Sequence, residues 1–312
     1  MDQGLIFDLG TMARRRQVLR AFGLGAVALG LGACGDGDDD TPSVATSETN
    51  TVSEIPDETA GPYPGDGSNG PNVLTESGVV RSDIRSSFGD STTTAEGVPM
   101  TLTLDLKDLA NGGAAFADVA VYVWHCDRAG RYSLYSEGIT NENYLRGVQI
   151  ADGAGRVTFT SIFPACYSGR WPHVHFEVYP GRADIADAGN AIATSQVALP
   201  KAACDTVYAT SGYEDSITHL AQVSLDGDNV FGEDSGASQL ATVSGDVTAG
   251  FAVSLVVGVD TTTTPTGGQL SGDGAPSGAP PGGGPGGGPS GGGPGGAPPS
   301  GPRPSGPPPS GP

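Results

Sequence analysis

His173 and His175, separated by a single residue, are where residue type and spacing in this chain most clearly offer chemistry. They sit in His173-Val174-His175-Phe176-Glu177-Val178-Tyr179, a run of strand character. Side chains alternate across a strand, so both imidazoles point to one face. Two imidazoles on one face are half of a metal site. The spacing alone is a weak signal, because histidines also serve as structural or surface residues. The chain has 4 His, the others being His125 and His219. Tyr167 stands shortly before the pair, in Phe163-Pro164-Ala165-Cys166-Tyr167-Ser168-Gly169-Arg170-Trp171-Pro172. An earlier segment reads Val123-Trp124-His125-Cys126-Asp127-Arg128-Ala129-Gly130-Arg131-Tyr132-Ser133. A rival iron site of two His and one carboxylate is not suggested by the neighbouring residues, Glu177 being its sole candidate.

The elements that must position these groups read as strands. Met100, Leu102, Leu104 and Leu106 alternate with Thr101, Thr103 and Asp105, the period-2 pattern of a half-buried strand. Similar runs recur at 119–124, 157–162, 173–179, 193–199, 240–243 and 251–259, many of them separated by Gly, Asp and Asn. Helical periodicity is confined to two short stretches, 201–208 and 216–223. The expectation is an all-β fold: a β-sandwich of mixed or antiparallel strands with long loops and few short helices.

The ends of the chain are of different composition. Of 312 residues, 51 are Gly and 25 are Pro, and residues 261–312 hold 19 of the Gly and 15 of the Pro. No strict three-residue Gly period runs through this tail, which excludes a collagen helix. It is expected to be disordered, having little apolar surface to bury. At the other end, Arg14, Arg15 and Arg16 precede an apolar run over 21–33 that ends in Leu31-Gly32-Ala33-Cys34. A positive region, a short apolar region and small residues describe an export signal. As a helix the apolar run spans only about 20 Å, short of a bilayer core. Arg15-Arg16-Gln17-Val18-Leu19-Arg20 resembles the twin-arginine export motif, and the segment ending at Cys34 resembles a lipobox whose Cys is lipidated. Asp2 and Asp8 do not suit a signal, which leaves Met12 open as the start. Residues 1–33 are thus an export signal, 34–57 an acidic flexible spacer, 58–260 the globular domain and 261–312 the tail. The protein is expected to be exported, either lipid-anchored through Cys34 on the outer face of the cell membrane or secreted or periplasmic. Two of Cys126, Cys166 and Cys204 could pair in such a compartment, with three pairings open. The net charge of -20 excludes nucleic acid as a partner.

The tyrosine and histidine segments together resemble the intradiol ring-cleavage dioxygenases, the catechol and protocatechuate dioxygenase family. There, Trp-x-x-(Asp/Asn)-x-x-Gly-x-Tyr supplies one tyrosinate, Pro-x-x-Tyr a second, and Arg-x-x-His-x-His two histidines. These fall on Tyr132, Tyr167, His173 and His175. Thr59-Ala60-Gly61-Pro62-Tyr63, Tyr144-Leu145-Arg146-Gly147, Asp152-Gly153 and Thr194-Ser195-Gln196 match in order, so the resemblance covers about residues 58–260. Ala165-Cys166 before Tyr167 departs from the usual small pair, and a disulfide at Cys166 would keep its thiolate from the metal. The long helical N-terminal region of catechol dioxygenases has no counterpart in 35–57, and the chain looks more like exported bacterial single-chain members.

The resemblance implies one Fe(III) per chain, held by Tyr132, Tyr167, His173 and His175. It implies a small aromatic diol and O2 as substrates, opened between the two hydroxylated carbons to a muconate-type diacid. Tyr167 would be the axial ligand displaced by the diol and would take up one of its protons. Arg170 and Gln196 would stabilise the electron-rich substrate, and Tyr63 would line its pocket. The overall acidity favours neutral catechols over anionic ones by bulk electrostatics, subject to local pocket charge. The alternative is a non-catalytic cell-surface β-sandwich binding module. Oligomeric state is not legible in the sequence.

Overall fold

In the computed structural model, residues 52–266 are described. The segment expected to direct export, with Cys34, and the tail beyond 266 lie outside the described residues. Alternation decides the first sheet. Strand β1, Pro99–Asp108, buries Met100, Leu102, Leu104 and Leu106 while the intervening residues face outward. It runs antiparallel to β5, Arg156–Ile162, with the two-residue β2, Ala114–Ala115, against its end. On its other side it runs parallel to β9, Gly250–Val259, which pairs antiparallel with the edge strand β8, Thr242–Asp246.

The second sheet is antiparallel throughout, in the order β4 (Arg146–Ile150), β3 (Ala120–Trp124), β6 (His173–Tyr179), β7 (Ala193–Ala198). The inner faces of the two sheets meet in one core. Leu102, Leu104, Phe159, Val253 and Val257 come from the first sheet, and Val121, Val123, Val174, Phe176 and Val197 from the second. This is the expected all-β sandwich, with both parallel and antiparallel pairs. Two short helices follow β7: α1, Lys201–Tyr208, and α2, Glu214–Leu220. The second starts earlier than periodicity suggests because Glu214 and Asp215 suit a first helical turn.

Two strands escaped sequence reading. β2 is too short to carry a pattern, and β4 begins with an Arg and a Gly. Gly147 is required there, since a Cβ would lie 2.5 Å from Ile84 Cγ2. The run expected at 240–243 is shifted: Leu240 bridges to Ala198 at the edge of the second sheet before the chain enters β8 in the first. At the N-terminal side, Ile55 is buried and its N–H donates to the Gly258 carbonyl at 2.9 Å. The packing therefore reaches back before residue 58.

The feature that positions the site is β6. All seven of its residues are buried. Val174, Phe176 and Val178 face the sandwich core, and His173, His175, Glu177 and Tyr179 take the opposite face, which loops roof over. A second buried cluster lies there, containing Tyr122, Trp124, Cys126, Tyr132 and Tyr167. No disulfide joins Cys126, Cys166 and Cys204. All three are free and buried, so the pairing considered for an exported chain is absent.

Candidate metal centre

Two loops bring the tyrosines to the outer face of β6. In the first, Asp127 closes a tight turn: its carboxylate accepts the amides of Ala129 (2.9 Å) and Arg131 (3.0 Å) and the Arg131 side chain (2.8 and 3.0 Å). Gly130 has φ +80° there, and a Cβ on it would lie 3.2 Å from Tyr167 Cβ. The Asp and Gly of this segment thus do two jobs. They turn the chain so that Tyr132 enters the cluster, and they leave room for the Tyr167 loop to approach. His125, just upstream, bonds Ser161 Oγ on β5 (2.7 Å) and the Cys126 carbonyl (2.8 Å), tying this loop to the first sheet.

Arg146 supplies the other anchor. It is buried, and it donates to the Ser133 hydroxyl (3.0 Å) and carbonyl (2.9 Å), the Pro64 carbonyl (2.7 Å), the Tyr63 carbonyl (3.0 Å) and Tyr122 Oη (3.1 Å). One side chain thereby fixes the segments carrying Tyr63 and Tyr132 against β3 and β4. The Tyr63 ring, half-buried, lies 5.0 Å from that of Tyr132.

The four expected donors converge. Tyr132 Oη is 3.5 Å from Tyr167 Oη, Tyr167 Oη is 3.2 Å from His173 Nε2, and His173 Nε2 is 3.0 Å from His175 Nε2. All four residues are buried. His173 Nδ1 faces the Trp171 carbonyl, which requires a proton on Nδ1 and leaves Nε2 as a lone pair. His175 stacks on Trp124, with ring centroids 4.9 Å apart and planes within 8°, so its ring is held flat and its Nε2 is aimed. Its Nδ1 is buried without a partner.

Burial acts on every group in the cluster in the direction of neutrality. It raises the Tyr132 phenol well above its ordinary range, with the nearby Tyr167 adding to the rise. Burial also raises Tyr167, to about 12, although Arg170 opposes it. Burial, reinforced by Arg170, lowers His173 to about 3, and burial with His173 beside it holds His175 well below the usual imidazole range. Two phenols and two neutral imidazoles so arranged lack a positive charge to face. A trivalent cation supplies one, and beside it phenols ionise far below their free value. The donor set fits that group: two hard oxygen donors capable of negative charge, and two imidazole lone pairs.

The rival set of two histidines and a carboxylate does not form. Glu177 Oε2 accepts from Tyr179 Oη at 2.7 Å, and among the described residues no three His, Cys, Asp or Glu side chains gather as a metal-binding group. His125 and His219 are occupied elsewhere, His219 with the Cys166 carbonyl at 2.9 Å. Burial pushes the Cys166 thiol up to about 12, so it is no competing thiolate even without a disulfide.

Arg170 and Gln196 are both buried and meet at 2.7 Å, Nη2 donating to Oε1. Gln196 Nε2 in turn donates to the Thr59 carbonyl at 3.0 Å. Arg170's main partner carries no signal in the sequence. Asp228 accepts from Arg170 Nε (3.0 Å) and Nη2 (3.3 Å), and from the amides of Trp171 (2.7 Å), Val230 (2.9 Å) and Phe231 (3.2 Å). Burial raises the Asp228 carboxyl, but Arg170 and these amides outweigh it and hold its pKa below the usual range. In sequence, Asp226-Gly227-Asp228-Asn229 signals only a turn, and its partner lies 58 positions away.

Residues 70–180 match the family model Dioxygenase_C, described as Dioxygenase. That span contains Tyr132, Tyr167, His173 and His175. Among solved structures, an intradiol ring-cleavage dioxygenase from Tetranychus urticae is similar at 22% identity and a TM-score of 0.52, covering 69% of this chain and 98% of that one. Another, described as the dioxygenase Tetur07g02040, is similar at 22% identity and a TM-score of 0.54, with the same coverage. No curated protein matches the chain. The intradiol resemblance drawn from the motifs agrees with the dioxygenase model matched over residues 70–180 and with the fold shared with an intradiol ring-cleavage dioxygenase.

The His125 anchor gives a pH signature. Burial lowers its pKa to about 4, against about 6.5 in an unfolded chain. Its contribution to stability is full above pH about 6.5 and is lost as pH falls through about 4, because the unfolded state binds the proton first. In the metal-free protein, His125→Asn should therefore cost more stability at neutral pH than at about pH 4.5. Urea midpoints of both proteins at the two pH values check this, and an equal penalty at both would contradict it.

Proposed function

We propose that this chain, a match to the dioxygenase family with the intradiol ring-cleavage fold, is an exported non-haem Fe(III) dioxygenase. It cleaves catechol-type rings between the two hydroxylated carbons and gives muconate-type diacids. The observation that carries the reading is the convergence of Tyr132, Tyr167, His173 and His175 through contacts of 3.5, 3.2 and 3.0 Å. These four residues would hold the ferric ion. Bound there, the ion would draw electron density from the diol and so open a ring carbon to O2. The reaction balances as diol plus O2 giving the diacid, with both oxygen atoms incorporated and no external reductant.

The protein's own groups have distinct parts in this reading. Like Tyr132, Tyr167 sits on a loop, whereas the histidines sit on a strand. By the family resemblance it is the donor that would swing aside and accept a proton from an incoming diol at Oη. The charge of Arg170 nearby favours its phenolate. His173 and His175 lie on β6 and are held by the Trp171 carbonyl and the Trp124 ring, so they are the fixed half of the centre. Arg170 is oriented by Asp228 and Gln196. Among the described residues no acceptor takes its Nη1, which leaves that donor for substrate oxygen. The tilted Tyr63 ring would form a wall beside Tyr132.

Export is part of the proposal. It rests on the twin-arginine-like Arg15-Arg16 and on the segment ending at Cys34, the expected lipid attachment site. A route for folded proteins suits an enzyme that takes up its metal before export.

Two outcomes are expected. Iron-loaded protein should consume one O2 per catechol in an oxygen electrode, and Tyr132→Phe should lower turnover by at least about 100-fold through loss of a ligand. Undiminished turnover in that variant would exclude the assigned role. Separately, changing Arg15 and Arg16 to Lys should leave the protein in the cytoplasm on fractionation, and unimpaired export would refute that route.

A further inference from the structure

Residues 58–63 run across the four-donor cluster from one side to the other. At one end, the Glu58 N–H donates to the Thr194 carbonyl at 2.7 Å, and the Thr59 carbonyl accepts from Gln196. In the middle, Gly61 has φ +74°, and a Cβ there would sit 3.4 Å from His175 Cε1. At the other end, the Tyr63 ring packs on Tyr132. A diol that reaches the donor atoms must be accommodated against this segment. The charges around its Glu58 end then bear on which diols are accepted.

The cations near the centre are already engaged. Arg170 is neutralised by Asp228, a buried pair at 3.0 Å. Arg131 is paired with Asp127 at 2.8 Å, and Arg128 with Glu96. Arg146 spends its donors on carbonyl and hydroxyl oxygens of the surrounding loops. Glu58 and Glu233 add negative charge close to Arg170 and Asp228. We infer that this site selects diols without an anionic ring substituent, and that Glu58 is a specificity-determining residue for that choice. The inference rests on the dioxygenase reading and adds the substrate class to it.

Glu58 reports on its own surroundings. Burial raises its pKa to about 7. Arg170 opposes the rise, while Glu233 and Asp228 add to it. The location thus resists one negative charge despite the arginine beside it, and a substrate carboxylate brought there would meet the same resistance. A neutral ring pays no such cost, because Arg170 still offers a hydrogen-bond donor without offering net charge.

The test compares two diols of similar size on the iron-loaded full chain, 4-methylcatechol and 3,4-dihydroxybenzoate, at about pH 8 so that Glu58 is ionised. The neutral diol should be favoured in kcat/KM by about tenfold or more. Glu58→Gln should narrow that ratio by raising kcat/KM for the carboxylated diol more than for the neutral one. Glu233→Gln, a change at an exposed position, should narrow it in the same direction by less. Equal or reversed preference in the wild type, or ratios unmoved by both variants, overturns the inference while leaving the dioxygenase reading intact. Absence of O2 uptake with either diol overturns both.

Discussion

The rest of the structure depends on an unfavourable juxtaposition: four buried donor groups that face one another with no positive charge between them. Left neutral, Tyr132, Tyr167, His173 and His175 can satisfy only part of their hydrogen-bonding capacity, as the unpartnered His175 Nδ1 and the competition for one His173 lone pair show. Buried polar groups in that condition cost of order 1–3 kcal/mol each. A fold tolerates such a cluster when the surroundings leave it no means of relaxing. The surroundings here do so from three sides. The core packs behind β6, Trp124 and the Trp171 carbonyl fix the imidazoles, and Arg146 with Asp127 fixes the loop that carries Tyr132.

This division of labour follows from β6 being buried on both faces. Its odd-numbered residues carry the chemistry and its even-numbered ones carry the packing, so the spacing of the histidines is also the spacing of the core. A one-residue slip of β6 would exchange the two sets and lose both at once. The polar anchors are less forgiving than the core. Arg146 has no carboxylate partner among the described residues and is satisfied by loop oxygens alone, so the loops can hold it only in their native conformation. The Arg170–Asp228 pair couples the site to the segment between α2 and β8 in the same way, and breaking such a buried pair costs about 3–5 kcal/mol.

How far the sequence could be read depended on whether the signal was local. The alternation in β1 and β6 was legible because each strand shows its own period, and α1 was found to the residue for the same reason. The four donors were legible because the two histidines share one face of a single strand and each tyrosine sits in a short local motif, that of Tyr132 containing the Asp127 and Gly130 its turn requires. Asp228, Glu58 and the role of Arg146 were not legible. Their partners are supplied by tertiary folding across tens of residues, so membership of a matched segment, as for Arg146, or a place beside one, as for Glu58, does not reveal the role. The cysteines misled for a related reason. An exported chain permits disulfides, but only the packing shows that Cys126, Cys166 and Cys204 are buried as separate free thiols.

The central claim is that two tyrosinates and two histidines of this chain hold one ferric ion. Visible absorption and resonance Raman spectra of the purified protein with Fe(III) added test it most directly. The account predicts a tyrosinate-to-iron charge-transfer band that saturates at one iron per chain, with Tyr167→Phe keeping the iron but losing part of the band. A protein that binds ferric iron at that stoichiometry without a tyrosinate band, or whose band is untouched by the Tyr167 change, would contradict it.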